Sequence, residues 1–475
     1  MSFRWDAREH LHLGRDLLRW LVILLPVAAT IGSACALFLW ALERATTARF
    51  AHPALLFALP LAGTFVAWLY ERLGQSSQGG NNLLIDEIHQ PNAGVPRRMA
   101  PLILVATVIT HGFGGSAGRE GTAVQMGGSL AATFGRSAWA RWFKFDERDQ
   151  RTLLMAGIAA GFGGVFGTPL AGAVFAIEVL AIGRMDYEAI VPCLIAALIG
   201  DWACQSWGIH HSLIHVAALS STRLDAVLAF KVALAAVAFG LTSTLFAEAL
   251  HGVQDLFKTH VRFPLLRPFI GGIVVIALVT ILHSRDYLGL GDSSPDANAV
   301  TIASSFHAGG AGALSWFWKL VFTAITLGSG FKGGEVTPLF YIGATLGNVL
   351  AVLLHAPTDL FAALGFVAVF AGAANTPLAC TLMAMELFGS QNAPYFAIAC
   401  FVAYFFSGHS GIYSSQRIGI GKVRDLVLSP DASLHSLRDK RANSRHANGH
   451  QANGRQSSTR LRARKPRKPV DKEPS

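Results

Sequence analysis

His111–Leu130, HGFGGSAGREGTAVQMGGSL, holds seven glycines in twenty residues, with one base, Arg119, beside one acid, Glu120. Apolar chain flanks it: PLILVATVIT before it and a Gly/Ala-rich helical pattern after it. A soluble loop would sit in a more polar setting. A continuous spanning helix would not tolerate so many glycines together with two charges. The stretch therefore reads as a broken helix pair. One helix ends near Gly112–Gly115, another begins near Thr122, and unwound chain lies between. At membrane depth such chain is tolerated only where it lines a cavity or is buried in protein. A helix start there exposes unpaired N–H groups at the positive end of the dipole, which suits an anion. The Glu120 carboxylate stands at that start, in the place of an anion. An ionisable residue inside a spanning segment is a functional candidate by position alone.

Outward from this stretch the chain is apolar and sparsely charged: 52% hydrophobic and 14% charged over 475 residues. That composition predicts an all-α polytopic membrane protein. Several apolar pieces are cut short by Gly and Pro, and short interrupted segments in corresponding halves point to a transporter site. The five cysteines, Cys35, Cys193, Cys204, Cys380 and Cys400, lie in or beside apolar segments without metal-ligand spacing. Their odd count argues against a disulfide framework, and the histidines also lack metal spacing, so no metal and no cofactor are expected. Residues 1–17 form an N-terminal segment that carries Arg4, Arg8 and Arg15, with Arg19 just beyond it. The charges are too scattered for a signal peptide, and they place this end in the cytoplasm.

The motifs recur. Thr168-Pro169-Leu170-Ala171, with Glu178 ten residues after the Thr, returns as Thr376-Pro377-Leu378-Ala379 with Glu386, an offset of 208. Gly118, Glu120 and Thr122 return as Gly333, Glu335 and Thr337, an offset of 215. Two motifs in the same order predict two related halves, roughly 18–210 and 225–420, within a membrane domain spanning 18–425. An inverted repeat of this kind places a site where the halves meet, near the bilayer midplane. Residues 430–475 differ in character: from Asp431 onward, twelve Lys or Arg stand against four Asp or Glu, without apolar periodicity. This predicts a disordered basic cytoplasmic tail near anionic lipid. Without aromatic residues for stacking, nucleic acid is not its expected partner.

GREGTAVQMGGSL resembles the Gly-Arg-Glu-Gly motif of the CLC family of chloride channels and anion/proton antiporters. GGEVTPLFYIGATLG, GTPLAGAVFAIE, NTPLACTLMAME and GIYSSQR, the last carrying Tyr413, resemble further family motifs in the same order. The resemblance covers about 20–425. It implies two inverted-topology halves whose broken helices meet at a midplane anion site, and a homodimer with one pore per subunit. Three departures point to the branch that exports fluoride in exchange for protons. Thr122 stands where Pro is common, Gly80-Asn81-Asn82-Leu83 replaces the serine motif of chloride-handling members, and Gly333-Gly334-Glu335-Val336-Thr337-Pro338 replaces Gly-Gly-Ile-Phe-x-Pro. The inner proton-transfer glutamate of classical antiporters falls at Val179, an absence seen both in channels and in the fluoride branch.

Fluoride is small and strongly hydrated, so a site must replace its water with close donors. Helix starts near Glu120–Thr122 and Val336–Thr337 provide backbone N–H groups. The Asn81 amide, Thr337 hydroxyl and Tyr413 phenol add side-chain donors. The candidate anion-binding and pore set is Asn81, Gly118, Arg119, Glu120, Gly121, Thr122, Val336, Thr337 and Tyr413. Glu120 and Glu335 are the candidate proton-transfer and gating carboxyls, and two close carboxyls would tend to share a proton. Glu178 and Glu386 read first as structural. The expected function is fluoride export by fluoride/proton antiport in a multi-pass inner membrane protein with both termini cytoplasmic. A chloride/proton antiporter or chloride channel is the alternative within the class. A cation-coupled transporter would want clustered carboxylates, and an intramembrane enzyme would want a nucleophile–base pair or metal set that the sequence lacks.

Overall fold

The computed structural model describes residues 7–91, 94–210, 216–217, 224–423 and 432–440. The expectations for residues 1–6 and 441–475 lie outside the described residues. The first half contains α1 (Ala7–Ala51), α2 (Leu59–Leu73), α3 (Asn81–His89), α4 (Met99–Gly112), α5 (Glu120–Gly135), α6 (Ala138–Trp142), α7 (Glu147–Phe166), α8 (Pro169–Glu178) and α9 (Ile190–Ser206). The second contains α10 (Ala226–His260), α11 (Leu266–Leu282), α12 (Ser315–Gly328), α13 (Val336–Leu354), α14 (Thr358–Ala374), α15 (Pro377–Phe388) and α16 (Ala393–Phe406). The only strands among the described residues are β1 (Ala181–Ile182) and β2 (Arg417–Ile418), which pair in parallel. The protein is an all-α, multi-pass membrane fold. Among the described residues five helices are long and apolar enough to cross a bilayer by themselves, and shorter apolar helices accompany them.

The helices start and stop for local reasons. Asp146 and Asp149 form a reciprocal capping box at the start of α7. The Asp225 carboxylate accepts from the Val227 and Leu228 N–H groups at the start of α10. Helix α7 ends at Gly167 and α14 at Asn375, both left-handed, and each is followed by Thr-Pro opening the next helix. The first helix begins at Ala7 rather than near Leu18, because the charged residues ahead of the apolar run are themselves good helix formers. Its 45 residues extend about 67 Å at 1.5 Å per residue, well beyond one crossing, and residues 8–18 are exposed.

The halves correspond helix by helix: α1 with α10, α2 with α11, α4 with α12, α5 with α13, and α7, α8, α9 with α14, α15, α16. Close approach of backbones fixes the match. A Cβ on Gly127 of α5 would strike the Gly157 carbonyl of α7, and a Cβ on Gly343 of α13 would strike the Gly365 carbonyl of α14. These positions differ by 216 and 208. The eight-residue difference arises in the loop containing α6, which is longer in the first half. The offset of 215 read from the Gly-x-Glu letters is thus one short: Glu120 corresponds to Val336, and Arg119 to Glu335. The letters misled because glycine stands at both 333 and 334, while Glu335 and Thr337 repeat the Glu120–Thr122 spacing one register away; backbone contact permits only the other.

The disordered tail expected from residue 430 is corrected in its first part. Residues 434–440 are helical, and Leu434 and Leu437 are buried with Ile182 and Ile418. The two leucines lie three apart on one helical face, an apolar pair too short to stand out in a basic tail.

Candidate functional site

The helix starts of α5 and α13 face each other at the centre of the molecule. Gly118 and Gly334 exchange both backbone hydrogen bonds, Gly118 N–H to Gly334 O at 2.6 Å and Gly334 N–H to Gly118 O at 2.8 Å. A reciprocal pair of this kind demands a local two-fold relation and locks the two unwound strands together. Neither position accepts a side chain. A Cβ on Gly334 would lie 2.8 Å from the Gly121 nitrogen, and one on Gly118 would lie 2.9 Å from Pro338 Cδ.

Helix α5 begins at Glu120, two residues earlier than expected, with Arg119 as its N-cap residue. The Glu120 side chain is fully buried and accepts from three donors. The Thr337 N–H lies 3.0 Å from Oε2, the Thr337 hydroxyl lies 2.6 Å from both Oε1 and Oε2, and the Arg119 N–H lies 3.1 Å from Oε2. Arg119 Nε stands 3.5 Å from Oε1. Every partner is a donor, as a carboxylate requires. In this conformation the carboxylate fills a donor cradle at a helix start, the arrangement that also suits a free anion.

The other candidates divide. Val336 is buried as the first residue of α13. Gly121 lies beside Asn81 and Glu335: a Cβ there would meet Asn81 Nδ2 at 3.1 Å and Glu335 Oε2 at 3.4 Å. Asn81 is the first residue of α3; Gly80, at φ 57°, takes the cap position because the chain must turn through the left-handed region there. Asn81 Oδ1 and Glu335 Oε2 are both buried without a hydrogen-bond partner. Glu335 makes no hydrogen bond to Glu120. Thr122 does not face Thr337; its hydroxyl pairs with that of Thr107 at 2.7 Å, both fully buried. One residue of helical rotation separates Gly121, which faces α13, from Thr122, which faces α4.

Tyr413 is 3% exposed and packs edge-on against Phe175, with ring centroids 6.4 Å apart. With Asn81, Gln125, Lys332 and Glu335 it lines a vestibule of ≈ 1160 Å³. The residues that hold Tyr413 were not legible as site residues. Asn82 Oδ1 accepts from the Ser415 N–H at 3.0 Å, and Asp86 Oδ2 accepts from the Ser415 hydroxyl at 2.7 Å. The fully buried Gln416 amide donates to the carbonyls of Val179 and Ala374 at 3.0 and 3.1 Å. The tail contributes as well: the His435 N–H donates to Ser414 O at 2.9 Å, and Arg438 pairs with Asp255 at 2.8 Å on the vestibule rim. Only the polar character of Asn81-Asn82 and of GIYSSQR hinted at this from sequence.

Glu178 and Glu386 form a second, symmetric contact between the halves. Glu178 accepts from the Leu378 and Ala379 N–H groups at 3.0 and 2.8 Å. Glu386 accepts from the Leu170 and Ala171 N–H groups, both at 2.9 Å. Each carboxylate caps the helix start of the opposite half.

Paired broken helices, with starts converging on a buried acid and an open vestibule, define a membrane ion-transport protein built from two inverted halves. The chain belongs to the CLC family: the family model described as voltage gated chloride channel matches residues 62–408. The "Chloride/fluoride channel protein" of Pseudomonas syringae pv. tomato is 49% identical over 414 residues, covering 87% of this chain and 90% of that protein. Among solved structures, a CLC-type fluoride/proton antiporter superposes with a TM-score of 0.79 at 35% identity, covering 85% of this chain and 98% of that one. A slow cyanobacterial Cl⁻/H⁺ antiporter has the same fold, with a TM-score of 0.68 at 20% identity over 82% of this chain and 94% of its own.

Proposed function

We propose that the protein exports fluoride in exchange for protons. One observation carries the reading: the Glu120 carboxylate occupies a three-donor cradle built from both halves, supplied by Arg119 and Thr337. Fluoride, another compact acceptor, competes for the same donors. When Glu120 takes up a proton it loses the advantage of charge in that cradle, leaves, and carries the proton across, while fluoride takes its place. Asn81, with its amide beside Gly121, and Tyr413, at the vestibule wall, extend the donor path. Glu335, on the same wall, receives the proton on the vestibule side, a duty the apolar Val179 cannot perform. The 49% identical relative named for chloride and fluoride, and the 35% identical fluoride/proton antiporter, support this reading.

We place the vestibule on the cytoplasmic side of an inner membrane. Its rim carries Lys258, Arg267 and Arg438, and both basic ends of the chain then lie inside. A homodimer with one pore per subunit completes the reading.

The test is anion efflux from proteoliposomes, fluoride against chloride, with and without a proton gradient. Fluoride efflux that drives protons inward, abolished as proton movement in Glu120→Gln, is the expected result. Fluoride movement indifferent to the gradient would make the protein a passive channel. Proton movement retained in Glu120→Gln would remove Glu120 from the coupling.

A further inference from the structure

At the end of α1 opposite Arg8, Arg15 and Arg19, a second basic centre is buried. Thirty residues of helix separate Arg19 from Arg49, about 45 Å at 1.5 Å per residue, so the two lie at opposite membrane faces. Arg49 is 9% exposed, and its Nη1 is buried without a hydrogen-bond partner. Lys319 of α12 is fully buried, and its Nζ donates to Tyr287 O at 3.1 Å and Gly289 O at 2.7 Å. Gly289, at φ 58°, separates the two cations: a Cβ there would strike the Arg49 guanidinium, while its carbonyl accepts from Lys319.

Two buried cations each carry a desolvation cost, repel one another and call for a counter-charge. Among the described residues no carboxylate lies within ion-pair distance of either. Asp292, within electrostatic reach of both, is exposed, and its Oδ1 accepts from Ser293. Two other acids line the space beside Arg49 and are turned to backbone groups. Asp286 accepts from the Val300 N–H at 3.2 Å, and Asp296 from the Asn298 N–H at 2.9 Å. The space is a cavity of ≈ 690 Å³ walled by Arg49, with His283, Arg285 and Ser294 also on its lining. Arg49 also lies beside the unwound chain that leads to the gate, since a Cβ on Gly114 would come within 3.8 Å of Arg49 Cδ.

We infer that this cavity is a second anion site, in which the Arg49 guanidinium, backed by Lys319 and rimmed by Arg285, holds a small monovalent anion at the outer end of the path. The anion supplies the missing counter-charge and is handed between the outer solution and the chain segment before Glu120. The direction of handover rests on the antiport reading above; the site itself does not. A field of this kind raises local anion concentration and weakens as salt rises.

Fluoride is the probe, on the full-length protein. Calorimetric titration of detergent-solubilised protein should show a binding step that Arg49→Met removes, Arg49→Lys restores, and Thr337→Ala leaves in place. In proteoliposomes Arg49→Met should raise the fluoride KM on the order of tenfold with kcat kept, the effect shrinking at high ionic strength. Met retains the apolar stem, so a purely packing role for Arg49 would leave KM and the binding step at wild-type values; that result overturns the inference. If the wild type binds fluoride through Arg49 but does not transport it, the antiport reading falls and the site stands. If it transports fluoride and Arg49→Met matches it in both assays, the site falls and the antiport reading stands.

Discussion

Where α8 meets α15, each half contributes the same residues: a Thr-Pro helix start capped by a glutamate from the opposite half, Glu386 over Leu170 and Ala171, Glu178 over Leu378 and Ala379. Where α5 meets α13, the backbone symmetry survives in the Gly118–Gly334 exchange but the side chains differ. Arg119 corresponds to Glu335, Glu120 to Val336 and Gly121 to Thr337. In the symmetric contact both helix starts are filled for good, and nothing is left over for a ligand. In the asymmetric one, α5 supplies an acid and the Arg119 N–H, and α13 supplies the two Thr337 donors. Only one of the two helix starts is filled by a carboxylate, and in the proposed mechanism that carboxylate gives way to another anion. Divergence at three positions on a conserved frame separates a structural seam from a site.

The largest effect expected is at the frame itself. Gly334→Ala places a Cβ 2.8 Å from the Gly121 nitrogen and 3.2 Å from the Glu120 nitrogen. Parting the two helix starts should cut fluoride efflux on the order of a hundredfold, as misplacing a reacting geometry does. Near-normal efflux would mean the backbone pair is not what registers the site. Next is Thr337→Ala, which deletes the hydroxyl donor to Glu120. A hydrogen bond to a charged acceptor contributes about 1.5–3 kcal/mol, so flux should fall about tenfold or more, with proton coupling kept. Asn81→Ser swaps an amide for a hydroxyl beside Gly121. It should lower the fluoride-to-chloride flux ratio by about threefold, the scale of one neutral hydrogen bond. An unmoved ratio would transfer selectivity to Thr337.

The symmetric seam is predicted to behave otherwise. Glu178→Gln should lower unfolding stability by about 1–2 kcal/mol, as a lost helix cap does, and Glu386→Gln by less because it is more exposed. Flux per folded protein should be unchanged in both; altered proton coupling in either would turn the seam into part of the pathway. The smallest effect expected is none. A chain stopped after Lys440 should transport as the full chain does, because the contacts to Gln416, Ser414 and Asp255 lie before that point. Stopping instead before Ala432 removes those contacts and should lower flux, measured side by side in proteoliposomes.

Composition, the 208-residue echo and the glycine-rich breaks were enough to specify a two-fold helical membrane fold, because burial in lipid forces apolar spans and closed backbone hydrogen bonding whatever the tertiary details. The unwound stretch at His111–Leu130 announced its own helix start, since seven glycines beside a lone Arg–Glu pair cannot form a continuous span. Four things waited for the tertiary structure. The register between GREGT and GGEVT is one, because Gly118 meets a glycine at either of two neighbouring offsets, Gly333 or Gly334, and only the Gly118–Gly334 backbone pair excludes one of them. The direction of Thr122 is another: one helical step turns it from α13 to Thr107. The bracing of Tyr413 by Asn82, Asp86 and residues 432–440 joins segments more than 300 positions apart. The last is the placing of Arg49 and Lys319 on either side of Gly289. Side-chain periodicity records which residues face inward along one element. It carries no information about which inward face of one element meets which face of another, and sites form there.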